Sequence, residues 1–101
     1  MADDSFTEFV LDQLRALGAL NCRAMFGGHG LYHEGVFFGM VFKGRLYFKT
    51  DAKTRAEYLK CGMKPFCPSP RQTLKNYYEV PIDVIEDDEQ LARWAQTAMG
   101  V

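Results

Sequence analysis

Hydrophobic positions near the start of the chain recur with the period of a helix. Their spacing of three and four residues places one apolar stripe along a helix face. This first stripe consists of Phe6, Phe9, Val10, Leu14 and Leu17. Ser5 and Glu8 have the spacing of a capping box, so we expect the helix to begin after Ser5 and to end at Gly18.

After this helix the pattern changes to short runs of strand-forming residues. The runs cover residues 23–26, 30–33, 36–42 and 45–50. Two-residue X-Gly pairs separate the last three runs, at Glu34-Gly35 and Lys43-Gly44, and such pairs are the usual signal of a hairpin. We therefore predict a meander of three or four antiparallel strands. The run 36–42 is nearly all apolar, so we expect it in mid-sheet, with helices on one face and a partner subunit on the other.

The second half of the chain predicts two more helices and one more strand. Asp51 is the expected cap of a helix over 52–61, which Gly62 ends. Three prolines at 65, 68 and 70 then predict a connection without regular structure. A strand follows over 73–80, then a short helical turn over 82–85. Asp87 or Asp88 caps the last helix, whose apolar face consists of Leu91, Trp94, Ala95 and Ala98.

These elements predict a single α+β domain over residues 1–101. Its order is α-β-β-β-α-β-α, with an antiparallel sheet of about four to five strands packed in two layers against helices. The strand over 36–42 carries more apolar surface than one helix layer covers, so we expect a homodimer. The candidate interface residues are Val36, Phe38, Met40 and Phe42.

Charge is unevenly distributed although the formal net charge is only −1. The segment from Lys49 to Lys75 holds seven basic and two acidic residues, whereas acidic residues gather near both ends. The candidate basic patch within this segment consists of Lys53, Arg55, Lys60 and Lys64. Because strongly electrostatic DNA binders are normally basic domains, we expect at most weak binding to nucleic acid through this patch.

The run from Arg23 to Tyr32 is the densest candidate motif. Its candidate structural or functional residues are Arg23, Met25, Phe26, Gly27, Gly28 and Gly30. Glycines at this density mark a special backbone. A phosphate-binding glycine loop opens a helix, but a predicted strand follows here, so a tight connection between strands is favoured. We expect Arg23 to form an ion pair, with Glu79 as the partner, and keep contact with a ligand as the alternative.

The reactive side chains show no catalytic or metal-binding pattern. Cys22, Cys61 and Cys67 form no CxxC motif, and Cys61 and Cys67 have no evident base nearby in sequence. His29 and His33 alone do not make a metal site. We predict no catalytic residue, no metal and no cofactor. The chain has no secretory segment and no apolar run long enough to span a membrane, which predicts a reduced, cytoplasmic protein without membrane contact.

The motifs resemble those of the TfoX N-terminal domain family, named for regulators of bacterial competence. Arg-Ala-Met-Phe-Gly-Gly-His-Gly-Leu-Tyr at 23–32 is similar to the family's Arg-x-Met-Phe-Gly-Gly-x-Gly-Leu-Tyr. The resemblance continues through 45–49, through Thr54-Arg55, through 77–81 and into a last helix with Leu91 and Trp94. It implies helices packed on an antiparallel sheet, as in secretion-chaperone-like folds. It implies no catalytic residues, and the longer regulators carry a second, helical domain.

The leading interpretation is a non-enzymatic cytoplasmic domain that regulates or binds another protein. The first alternative is a weak nucleic-acid-binding transcriptional regulator that uses the Lys49–Lys75 region. The second alternative is an enzyme or a small-ligand-binding domain with a pocket near Arg23 and His29.

Overall fold

The computed structural model describes residues 2–25 and 27–101, and the side chains of residues 5–24 and 27–101. Within that part, six strands form one antiparallel sheet in the order β1-β2-β3-β4-β6-β5. The strands are β1 (Leu20–Met25), β2 (Gly28–His33), β3 (Val36–Phe42), β4 (Arg45–Lys49), β5 (Pro65–Ser69) and β6 (Gln72–Glu79). The helices are α1 (Ala2–Gln13), α2 (Arg55–Lys60), α3 (Ile82–Ile85) and α4 (Asp88–Met99). The α+β class is confirmed, with six strands rather than four or five.

Both predicted hairpins form at their X-Gly turns. Glu34 and Gly35 have φ of 50° and 82°, and Lys43 and Gly44 have φ of 51° and 73°. Positive φ at both central residues is the geometry of a type I′ turn, whose twist matches that of the flanking strands. These turns place β3 in mid-sheet between β2 and β4, as predicted.

The first helix begins earlier than the capping-box spacing predicts. It starts at Ala2, so Ser5 lies inside the helix and is not its cap. The helix ends at Gln13, and a 3-10 turn at Arg15–Leu17 leads to Gly18, whose φ is 66°.

The prediction of an irregular connection at the prolines is wrong. Pro65–Ser69 forms β5, which pairs with β6 through two shifts of register. Proline lacks a backbone donor and is therefore confined to edge strands and bulges. β5 is both an edge strand and irregularly paired, so it accommodates Pro65 and Pro68.

The main core lies between one sheet face and the helices. Its largest fully buried side chains are Leu14, which directly follows α1, Leu31, Phe38, Leu46 and Phe48 from the strands, and Leu91 from α4. A bulge in β3 determines which side chains enter it. Leu31 faces Gly39 while Tyr32 faces Phe37, so Phe38 is an extra residue in the ladder. As a result, Phe38 and Val41 are buried in the helix-side core, while Phe37 and Met40 pack in a second cluster on the other face of the sheet.

Candidate interaction face

The glycine-rich motif forms the β1–β2 hairpin. Gly27 has a φ of 78°, and Gly28 begins β2 opposite Met25. A Cβ on Gly28 would overlap the carbonyl oxygen of Val41 in β3, so this position requires glycine for close packing of strands. Gly30 lies opposite Arg23 in the ladder. Phe26 and the side chain of Met25 lie outside the described residues. Because a strand follows the glycines, they do not open a helix as a phosphate loop does.

Arg23 stacks on an aromatic ring and does not pair with Glu79. Its guanidinium carbon lies 5.4 Å from the centroid of the Tyr32 ring. Glu79 instead accepts a hydrogen bond of 3.0 Å from Nη1 of Arg45. Three strands separate β1 from β6 in the sheet, so the predicted ion pair between Arg23 and Glu79 is wrong.

His29 belongs to the opposite face of the sheet from Arg23. Its Nδ1 lies 3.4 Å from Oγ1 of Thr7 on α1. Arg23 lies on the face that carries Tyr32, whereas Leu31, between His29 and His33, enters the helix-side core. The enzyme or ligand-binding alternative requires Arg23 and His29 to line one pocket. Because they lie on opposite faces of the sheet, they do not do so.

The face of the sheet away from the helices carries a cluster of aromatic rings, which we call the aromatic face. Its rings are Tyr32, Phe37, Phe42, Tyr47, Phe66 and Tyr77. Met40 and Leu74 pack among them. Tyr47 and Phe66 are buried, whereas the other four rings are half-buried and reach solvent.

The rings of the aromatic face contact one another in edge-to-face or tilted arrangements. The centroid of Phe37 is 5.2 Å from that of Tyr32 and 5.9 Å from that of Tyr77. Phe66 of β5 closes the other end, 4.7 Å from Tyr47 and 5.3 Å from Phe42. Burial raises the pKa of Tyr77, and burial followed by the Glu79 charge raises the pKa of Tyr47. Both phenols are therefore neutral at ordinary pH.

The four residues of the predicted interface do not share one surface. Phe38 lies in the helix-side core with no exposed area and cannot reach a partner of the folded domain. Met40 and Phe42 belong to the aromatic face, and Val36 is 48% exposed at the start of β3. We predict that a partner subunit covers the second face of β3, but Phe66 of the chain's own β5 covers part of that face.

The predicted basic patch is only partly available to a partner. Arg55 is half-buried, with its guanidinium carbon 5.8 Å from the Tyr78 ring and Nη2 donating to Oδ1 of Asn76 at 3.4 Å. Lys53, Lys60 and Lys64 are exposed on and around α2.

Acidic side chains interrupt the positive charge beside α2. A groove of about 590 Å³ between α2 and the end of α4 is lined by Lys49, Lys53 and Arg93 together with Asp51 and Glu57. The backbone N–H of Thr54 donates to the Asp51 carboxylate at 2.8 Å, and this bond holds the pKa of Asp51 below its usual range. Asp51 therefore stays ionised and offsets the neighbouring lysines.

Sequence reasoning missed two contributors to the aromatic face. Phe66 lies between prolines in a segment predicted to be irregular, and its only signal is an aromatic residue in a polar, proline-rich stretch. Lys43 occupies a hairpin turn, and its Nζ lies 5.4 Å from the centroid of the Phe42 ring. Arg23 and Lys43 thus place positive charge beside two half-buried rings of the face.

In residues 2–25 and 27–101, no group of three or more His, Cys, Asp or Glu side chains is placed to hold a metal ion. None of the helices in that part has the length and apolarity needed to cross a bilayer.

Comparison with known proteins gives two matches. The model of the TfoX N-terminal domain matches residues 12–101. A relative from Aliivibrio fischeri, called DNA transformation protein TfoX1, is 34% identical over 80 residues. This match covers 77% of the present chain and 36% of the relative, so the chain spans about a third of that relative's length.

Proposed function

The chain belongs to the TfoX N-terminal domain family, and from that premise we propose that it is a non-catalytic regulatory domain that binds a protein partner through its aromatic face. The partner we propose is an extended, acidic segment with apolar side chains. The observation that carries the proposal is the row of half-buried rings formed by Tyr32, Phe37 and Tyr77 beside Arg23.

The rings of the aromatic face are held in place before a partner arrives. Phe37 contacts both Tyr32 and Tyr77 edge to face, so little side-chain freedom remains to be lost on binding. Tyrosine, other aromatic residues and arginine are also the side chains most enriched at protein–protein contacts. These rings therefore suit the role of anchors.

The charge around the aromatic face favours an acidic partner. Arg23 stacks on Tyr32 at one place, and Lys43 stacks on Phe42 at another. Arg45 is already paired with Glu79 and contributes little net charge. An acidic segment would gain from Arg23 and Lys43, and complementary charges of this kind raise association rates and orient partners.

Two alternatives have less support. The enzyme alternative needs Arg23 and His29 in one pocket, but they belong to opposite faces of the sheet. The nucleic-acid alternative relies on the Lys49–Lys75 region, where Arg55 is engaged with Tyr78 and Asn76 and acidic residues line the same groove as the lysines. An aromatic sheet face can also stack nucleotide bases, so binding of nucleic acid is an outcome that the experiment must distinguish.

The relative's name supports a biological setting for the domain. TfoX1 is called a DNA transformation protein, and we place the present domain in the regulation of the same process, in the reducing cytoplasm. Because the chain spans only about a third of that relative, the proposal concerns binding by this domain and leaves other activities of longer relatives aside.

The test selects peptides from a random displayed library on the immobilised domain and measures their affinity by fluorescence anisotropy. We expect selected peptides to combine acidic with aromatic or large aliphatic residues. F37A should weaken their binding by roughly 30-fold, the effect of losing an interface anchor. Leu59→Ala, which removes an exposed side chain on α2, is the matched control and should leave binding unchanged.

Three results would contradict the proposal. Selected peptides without acidic character, or peptides equally affected by F37A and L59A, would remove the aromatic face as the site. Submicromolar binding of single-stranded RNA or duplex DNA that survives physiological salt, with loss in the F37A variant, would assign the face to nucleic acid instead.

A further inference from the structure

We propose that β1 is a homodimerisation edge, along which two copies of this chain pair antiparallel about a two-fold axis at Cys22. This edge meets the aromatic face at Arg23, but the backbone groups that would pair do not belong to that face, so the proposal does not depend on the function proposed above. The observations that carry it are the hydrogen-bonding phase of β1, the contrast between the two sheet edges, and the side chains that the pairing brings together.

The first observation is which backbone groups of β1 point away from the sheet. The N–H of Glu34 donates to the carbonyl of Ala19 at 3.1 Å, so Ala19 and Glu34 form a hydrogen-bonded pair at the start of the β1–β2 ladder. Hydrogen-bonded pairs alternate along antiparallel strands, so Asn21 and Arg23 bond to Tyr32 and Gly30 of β2. The N–H and C=O groups of the intervening residues, Leu20, Cys22 and Ala24, therefore point outward.

The second observation is that the two edges of the sheet differ in their protection. β5 contains two prolines and pairs with two shifts of register, both of which discourage further pairing. β1 has six residues, none of them proline, and an uninterrupted register with β2. Arg23 is its single charged residue. An unprotected edge of this kind is a template for another strand.

The third observation is the self-complementarity of one register. A two-fold axis at Cys22 pairs Cys22 with its own copy and Leu20 with Ala24 of the second copy. This register uses all three outward-facing residues of the strand, whereas a shift by one pair loses one of them. A second copy of this chain is therefore the partner whose strand matches β1 along its whole length.

The side chains agree with the same register. Leu20 and Cys22 are half-buried against the helix-side core, so the pairing would extend that core across the axis. On the other face, Asn21 would lie opposite Arg23 of the second copy. The two arginines therefore do not face each other, and an amide oxygen is available to each guanidinium.

The test uses two substitutions at one position. Ala24→Pro removes an outward N–H without removing a bond to β2, because proline is tolerated where the donor faces solvent. Ala24→Ser keeps the N–H and is the matched control. By light scattering coupled to size exclusion over a micromolar concentration series, we expect the parent chain and A24S to dimerise and A24P to be monomeric. A monomeric parent, or A24P that dimerises as the parent does, overturns the proposal.

Disulfide cross-linking tests the register without proline. In a background of C22S, C61S and C67S, one preparation carries N21C and another carries R23C. Mild oxidation of the mixture should give a disulfide dimer, because the paired Cα atoms would lie about 4.5 Å apart. Each preparation alone should not, since its own cysteines would be separated by more than about 7 Å across the axis. Cross-linking that is no greater in the mixture overturns the register.

Discussion

Replacing Gly28 by alanine should cost far more stability than replacing its neighbour Gly27. A Cβ on Gly28 would overlap the carbonyl oxygen of Val41 and come within 3.2 Å of the Cα of Phe42. Both are backbone atoms of β3, and the neighbouring pair, His29 and Val41, is fixed by the ladder. The strands must separate locally, so we expect a loss of about 3 kcal/mol, the upper range for overpacking.

Gly27 requires glycine for a different reason, which makes it the matched comparison. Its φ is 78°, and a Cβ there would meet no heavy atom within 4 Å. Alanine at this position should lower the free energy of unfolding only through the strain of the left-handed backbone, by about 1 kcal/mol. The two substitutions therefore separate close packing from backbone strain within one motif.

Urea unfolding followed by circular dichroism and by the fluorescence of Trp94 measures both losses. The expected difference of about 2 kcal/mol corresponds to roughly 8–16 °C in melting temperature for a domain of this size. A domain with a total stability of about 5–15 kcal/mol would still fold with either substitution. If G27A were more destabilising than G28A, the packing of β2 against β3 would not explain the glycine pair.

Two further predictions concern titration and surface charge. Burial raises the pKa of Tyr58 above its ordinary value of 10.0, so this phenol ionises at a lower pH in the unfolded chain than in the folded one. Its contribution to the free energy of unfolding should therefore be fully present below about pH 10 and be lost as the pH rises further. Tyr58→Phe should make the urea midpoint fall less steeply with pH above that value. An unchanged slope in Y58F would contradict the assignment. The Arg45–Glu79 pair joins a guanidinium that is 61% exposed to a carboxylate at 3.0 Å, so R45A should cost no more than about 0.5 kcal/mol and less in high salt. A loss several times larger, or one insensitive to salt, would show that Arg45 does more than form an exposed ion pair.

The sequence predicts best where one local rule decides the outcome. Glu34-Gly35 and Lys43-Gly44 determine their turns through two residues each, and the structure contains both hairpins. Asp87, one of the two predicted caps, caps α4 by accepting a hydrogen bond of 3.2 Å from the backbone N–H of Gln90. Each of these features depends on neighbours in sequence, which a pattern can show.

Features that depend on distant strands could not be predicted in this way. The prolines of β5 are incompatible with a central strand, and only the sheet order shows that β5 is an edge. Side-chain chemistry alone pairs Glu79 with Arg23, but β4 lies beside β6 in the sheet and brings Nη1 of Arg45 to 3.0 Å from Oε1 of Glu79. The bulge at Phe38 arises from the match between β2 and β3, and it changes which apolar residues of one strand enter the core.

Several described residues of the motif from Arg23 to Tyr32 have architectural roles. Gly27 turns the chain and Gly28 lets β2 approach β3, while Leu31 fills the core. Arg23 and Tyr32 stack on the open face, and Arg23 also belongs to the open edge. The two surfaces proposed above meet at Arg23, so we expect binding of a partner and pairing of two chains to influence each other.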